Sequence, residues 1–215
     1  DLDIKGRSSM GNILTRYHVR KIEKTGKGVS TLGSLKVYYD QLTGTLNADK
    51  KGLYLGNLEE KDQLLTLYRD GSYELRQFQL SLRYDERNVL LIEKFDAEKI
   101  ISAVYFSGEH QQYFIKRFQI ETSTLDKPFG FIPEGEGSQL LAATTRSQAQ
   151  AEIKYLKKGI KEVQSFVYDL DVMAEVKGWK ALGNKLPLEN IQEVRIVRPE
   201  QEEESKEKSQ LNMFS

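Results

Sequence analysis

Short runs of β-branched and aromatic residues, each bounded by turn-forming residues, recur along this chain, and regular helix periodicity is scarce. The predicted strands are Asn12–Thr15, Leu35–Tyr39, Leu64–Tyr68, Tyr73–Phe78, Ile101–Phe106, Tyr113–Ile120, Leu140–Thr144, Ala151–Leu156, Val172–Val176 and Ile191–Val197. Leu64–Leu80 reads as a hairpin, because Asp70-Gly71 between alternating apolar residues is a strong turn signal. Ile101–Ile120 repeats the plan around Ser107-Gly108-Glu109, and Leu140–Leu156 reads as a third version without its glycine. Hairpins beginning near Asp62, Glu98, Gly137 and Asp171 recur every 34 to 39 residues. Strand repeats of that length point to radial or solenoid architectures, in which a unit buries its face only against its neighbours. Tyr38–Gly56 is the least regular stretch, with turn signals at Thr43-Gly44 and Lys50-Lys51-Gly52.

A second periodicity overlies the first. A Lys-Gly pair followed after four residues by another glycine occurs at Lys5-Gly6 to Gly11, Lys27-Gly28 to Gly33 and Lys177-Gly178 to Gly183. The outer copies extend further, Gly11-Asn12-x-Leu14 matching Gly183-Asn184-x-Leu186. Glycine at fixed spacing beside lysine suits a turn whose backbone approaches an anion; it equally suits a plain tight turn between strands.

The formal charge of zero conceals segregation. Residues 1–36 carry a net +5, residues 37–140 −5, residues 141–198 +3 and the remainder −3. A neutral chain of this kind presents a positive stripe if its two basic segments meet. No cysteine is present, which removes disulfides, thiolate metal sites and cysteine nucleophiles, and fits a reducing cytosol. With no bilayer-length apolar run and no signal-peptide pattern, the chain reads as soluble and the expected location is cytoplasmic. The chain opens at Asp1, as expected of a piece of a longer polypeptide. Pro199–Lys208 is polar and acidic and is expected to be disordered, leaving residues 1–198 as the folded domain and 199–215 as a tail.

Motifs for catalysis are missing. His18 and His110 are far apart in sequence and give no metal motif; Gly28–Ser34 has P-loop glycine spacing but Ser34 where lysine must stand. Asp169 with Asp171, or Glu59 with Glu60, read better as solvated carboxylates than as an acid–base pair. The basic residues make a stronger pattern: Lys5, Arg7, Arg16, Arg20, Lys21, Lys24 and Lys27 come early, and Lys154, Lys157, Lys158, Lys177, Lys180 and Lys185 late. Along one rim they would follow a phosphate backbone without reading bases; scattered lysines also protect strand edges from pairing. Trp179 lies inside the late copy, where packing and DNA contact are both open to it.

The run Gly11-Asn12-Ile13-Leu14-Thr15-Arg16-Tyr17-His18-Val19-Arg20-Lys21-Ile22, followed by Thr25-Gly26-Lys27-Gly28, resembles the C-terminal domain of the A subunit of bacterial type IIA topoisomerases. Gyrase carries a Q-R-R-G-G-K-G box there; Ile22–Gly28 keeps its last three positions and one basic residue, a degraded box like that of the topoisomerase IV A subunit. Lys36-Val37-Tyr38-Tyr39-Asp40, Lys116-Arg117-Phe118 and Val176–Gly183 resemble the Bacteroidetes-type version. The resemblance implies a β-pinwheel of four or five hairpin-exchanged blades, in a closed or open ring, that binds and bends duplex DNA. It further implies that this domain holds no cofactor, with Mg2+, ATP and the strand-breaking tyrosine on the rest of the A subunit or on the B subunit. Decatenation or relaxation is then the expected activity of the parent enzyme. Gln210-Leu211-Asn212-Met213-Phe214 resembles the Q-L-x-L-F peptide that docks on the bacterial sliding clamp, which makes Gln210, Leu211, Met213 and Phe214 candidate clamp contacts. The competing expectation is a β-propeller scaffold that binds protein and uses its lysines for solubility.

Overall fold

The computed structural model describes residues 33–157, 159 and 162–197. Backbone contacts divide the chain into Asp1–Gly33 and Ser34–Ser215, and the described elements all lie in the second unit. In chain order they are β1 (Leu35–Asp40), β2 (Thr45–Asn47), β3 (Leu53–Leu58), β4 (Gln63–Tyr68), β5 (Ser72–Gln77), β6 (Val89–Lys94), β7 (Ile101–Ser107), β8 (Gln112–Phe118), β9 (Phe129–Gly130), β10 (Gln139–Thr144), β11 (Gln150–Leu156), β12 (Val163–Asp169), α1 (Leu170–Met173), β13 (Asn184–Lys185) and β14 (Ile191–Val197).

The strands form four antiparallel sheets built on one plan. Each starts from a hairpin: β1–β2, β4–β5, β7–β8 or β11–β12. The hairpin's first strand takes a third strand on its free side, respectively β3, β6, β10 and β14. The hairpin's second strand takes a fourth from further along the chain, after the next hairpin has been made: β9 joins β5, and β13 joins β8. In the first sheet a single bridge, Thr45 with Arg83, holds that fourth place, beside a 2.9 Å hydrogen bond from the Tyr84 N–H to the Gly44 carbonyl. In the fourth sheet no described strand pairs with β12 on that side, and Val163, Phe166 and Val167 are exposed there. The third strands β3, β6, β10 and β14 touch one another in succession. This is the all-β, strand-exchanged plan of a β-pinwheel.

Successive sheets bury three apolar cores between them. Strands lying between two cores lose the usual apolar–polar alternation, because both faces are buried. In β4, Leu64 faces the core shared with the first sheet, and Leu65 and Leu67 the core shared with the third. The β4–β5 turn follows its sequence: Gly71 adopts φ 81°, its N–H donates to the Tyr68 carbonyl at 3.0 Å, and Asp70 Oδ1 accepts from the Ser72 N–H at 2.9 Å.

Two expectations are corrected. Leu140–Leu156 is not a hairpin: β10 pairs with β7 and β11 with β12, so the segment between them carries the chain from one sheet to the next. Val172–Val176 is not a strand. The Asp169 carboxylate accepts from the N–H groups of Asp171 and Val172, capping the turn α1, and only Val176 then makes a bridge, to Arg117. Strands β2, β3, β6, β9, β12 and β13 fall outside the predicted set. Hairpins begin at Leu35, Gln63, Ile101 and Gln150, so the interval lengthens along the chain instead of holding at 34 to 39 residues, and none begins near Gly137 or Asp171. No helix among the described residues is long and apolar enough to cross a membrane.

Candidate nucleic-acid interface

Several exposed lysines and aromatic rings lie on the segments that supply the fourth strands of the second and third sheets, and β8 is bonded to both segments. The pleat of β8 sends Phe114, Lys116 and Phe118 to the core between the second and third sheets, and Ile115 and Arg117 to the side of the fourth. Lys116 is only 2% exposed. Its Nζ donates to the carbonyls of Phe131 at 2.6 Å and Trp179 at 2.8 Å, and lies 5.2 Å and 5.9 Å from the ring centroids of Phe118 and Phe131. On the opposite face Arg117 pairs with the Asp171 carboxylate at 2.8 Å and donates Nη1 to the carbonyls of Asp171 at 3.0 Å and Ala174 at 3.2 Å. The Arg117 carbonyl accepts from the Lys177 N–H at 2.9 Å. Two neighbouring cations, one on each face, thus hold the segment that leads into β13.

The late Lys-Gly copy has a specific geometry. Gly183 adopts φ +88°, and a Cβ there would meet the Ile115 carbonyl oxygen and stand 2.7 Å from Lys116 Cβ, whereas Gly178 has open space around it. The backbone approach that the glycine permits is therefore to β8 of the same chain, the plain-turn reading of the motif. Trp179 is half-buried and packs edge-on against Tyr73 and Phe129, with centroids 6.1 Å apart in each case. Lys180 Nζ lies 5.0 Å from the Trp179 ring and Lys127 Nζ 5.5 Å from the Phe129 ring. Lys127, Phe129, Trp179 and Lys180 make one continuous patch across the fourth strands of two sheets, and Lys177 and Lys185 are exposed on the same segment as Trp179. These four lysines enter none of the ion pairs among the described residues.

Of the other expected contacts, Lys154 pairs with Glu193 at 3.0 Å, and Lys157 is exposed past the end of β11, on a different sheet from Lys177, Lys180 and Lys185. Lys5, Arg7, Arg16, Arg20, Lys21, Lys24, Lys27 and Lys158 lie outside the described residues, as do Thr25, Gly26, Gly28, Gln210, Leu211, Met213 and Phe214. Sequence reading missed Lys127, because it belongs to the net-acidic middle segment; its signal was a lysine two residues ahead of an aromatic-glycine pair. Three of the four carboxylates considered for catalysis have structural partners: Asp169 caps α1, Asp171 binds Arg117, and Glu59 pairs with Lys61 at 2.9 Å, while Glu60 is exposed. His110 Nδ1 shares a hydrogen bond with Ser107 Oγ at 3.0 Å in the β7–β8 turn. An open groove of about 610 Å³ is lined by Glu93, Glu98, Lys99, Arg117, Arg146 and Asp171, where Lys99–Glu93 and Arg117–Asp171 pairs balance charge locally.

Burial depresses the Lys116 ammonium to about 8. It pushes the Tyr73 and Tyr84 hydroxyls up to about 12 and raises Tyr105 as well. Between pH 8 and 10.5 the unfolded chain keeps the lysine proton that the native state has released, so stability rises with pH by an amount on the order of 3 kcal/mol from this group. Above about pH 10 unfolded tyrosines ionise while the buried ones do not, and stability falls again. Urea midpoints from pH 7 to 12 are expected to peak near about pH 10, with the rising limb missing in Lys116→Met. A flat profile in the parent chain contradicts this.

The strand-exchanged sheets define a β-pinwheel module, and the fourth-strand segments of two of them carry exposed lysines beside aromatic rings. The family model described as the topoisomerase C-terminal domain of Bacteroidota matches residues 45–198, and the chain belongs to that family. The A subunit of DNA topoisomerase 4 from Borreliella burgdorferi is 28% identical over 137 residues, covering 58% of this chain and 22% of that protein. The chain therefore spans about a fifth of that relative's length. The crystal structure of the C-terminal domain of DNA topoisomerase IV aligns with a TM-score of 0.49 and 15% identity, over 67% of this chain and 50% of that one.

Proposed function

We propose that this domain is the non-catalytic duplex-binding part of a type II topoisomerase A subunit, bending a DNA segment and guiding it to the catalytic core for decatenation or relaxation. The observation that carries the reading is a set of exposed lysines, Lys127, Lys177, Lys180 and Lys185, on adjoining fourth-strand segments, none of which enters an ion pair among the described residues. Such an edge follows phosphates and is indifferent to base sequence. The partners in this reading are duplex DNA, a B subunit that carries the ATPase, and the rest of the A subunit, in a nucleoid-associated enzyme.

Fluorescence anisotropy of the whole chain with a labelled duplex, across a salt series, tests the reading. Binding is expected to be sequence-tolerant and to weaken steeply with salt. Changing Lys127, Lys177, Lys180 and Lys185 together to Glu is expected to lower affinity at 50 mM salt by at least about tenfold, and to flatten the salt slope by about 1 for each phosphate no longer neutralised. Absence of low-salt binding, or equal binding by the variant, overturns it. The exposed apolar residues of β12, Val163, Phe166 and Val167, favour a second reading as a protein-binding scaffold. Partners captured by the chain would then survive nuclease treatment.

A further inference from the structure

A buried lysine is unusual, and Lys116 is more so because no carboxylate among the described residues answers it: two carbonyls and two ring faces surround its ammonium. A methionine of nearly the same length would fill the space without a desolvation cost. The carbonyls it reaches are informative. Phe131 directly follows β9, the fourth strand of the second sheet, and Trp179 lies in the turn leading to β13, the fourth strand of the third. Neither short strand is held by more than two register pairs. Lys127 is four residues before Phe131, and Lys180 adjoins Trp179. The ammonium thus fastens, from below, the two turns whose surface lysines form the patch.

We propose that Lys116 is a positioning residue for the polyanion-binding edge, its ammonium tying the Phe131 and Trp179 turns together so that Lys127 and Lys180 are presented side by side. Part of this rests on the duplex-binding reading, because it concerns the same patch. Arg117, on the other face of β8, fixes Asp171 and Ala174 upstream of the turn, and Lys116 fixes the turn itself. The buried charge also adds positive potential beneath two surface cations, which a neutral side chain cannot supply.

Trp179 is the chain's only tryptophan and reports on the turn directly. In Lys116→Met, urea unfolding is expected to show a stability equal to or above the parent's, while Trp179 emission moves to the red and its acrylamide quenching rises. Duplex affinity at low salt is expected to fall about fivefold. Lys116→Arg, which keeps charge and donors, is expected to recover emission and affinity at least in part. Trp179 emission and quenching unchanged in Lys116→Met overturn the proposal, as does a restored signal in Lys116→Leu, which has neither donor nor charge. Should Lys116→Met fail to fold, Lys116→Gln keeps a donor without the charge, and a Trp179 signal there identical to the parent's, with undiminished duplex affinity, overturns the role of the ammonium. If the parent chain does not bind duplex at all, the duplex reading fails, and the Trp179 signal still decides whether Lys116 positions the turn.

Discussion

Phe118→Ala is expected to remove about 3–5 kcal/mol of stability, which is a large share of what a single domain has. Phe118 is fully buried at the end of β8, its ring 5.0 Å from that of Phe131, and it forms part of the core between the second and third sheets. Its loss takes away the transfer free energy of the ring and leaves a cavity beneath Lys116, whose ammonium sits over the same ring. Neighbouring strands are pinned by hydrogen bonds on both sides, so collapse into that space is limited. Urea denaturation followed by circular dichroism measures the change; a loss under about 1 kcal/mol would mean that the two sheets do not share this core.

Gly183→Val is expected to cost about 3 kcal/mol or more, whereas Gly178→Ala is expected to stay within about 0.5 kcal/mol of the parent. Both glycines belong to the same repeated motif, yet only Gly183 has a left-handed φ and a backbone in the way of a side chain. A β-branched residue there must abandon +88° and push away from the Ile115 carbonyl, which separates β13 from β8. Thermal melts of the two variants side by side check the contrast; equal effects would mean that spacing rather than conformation selects these glycines.

Much of this architecture was legible because its strongest strands carry their own turn chemistry. Asp70-Gly71 marked the β4–β5 hairpin, and the runs Leu64–Tyr68 and Ile101–Phe106 marked strands, whose burial on both faces only the structure shows. The resemblance drawn from Lys116-Arg117-Phe118 and Val176–Gly183 pointed to the right family. What stayed hidden was pairing. Adjacent runs such as Leu140–Thr144 and Ala151–Leu156 look like a hairpin when read locally, and only exchange between sheets reveals that each belongs to a different partner. Two-residue strands such as Phe129–Gly130 leave no periodicity to detect. Val172 invited a strand because it is β-branched, but the Asp169 cap decides that stretch locally. In the candidate interface, Lys177, Lys180 and Lys185 were visible from clustering, Lys127 was masked by its acidic surroundings, and Lys116 entered only through the family resemblance, with no local signal of its burial.

The delayed fourth strand also shapes how the chain is born. As synthesis proceeds, β5 keeps an open edge until Phe129 and Gly130 emerge, by which time the third hairpin already exists; β8 must likewise wait for Asn184 and Lys185. No sheet of this kind can be finished on the ribosome without committing the next one, so a stalled or truncated nascent chain leaves an unpaired strand edge exposed to neighbouring polypeptides.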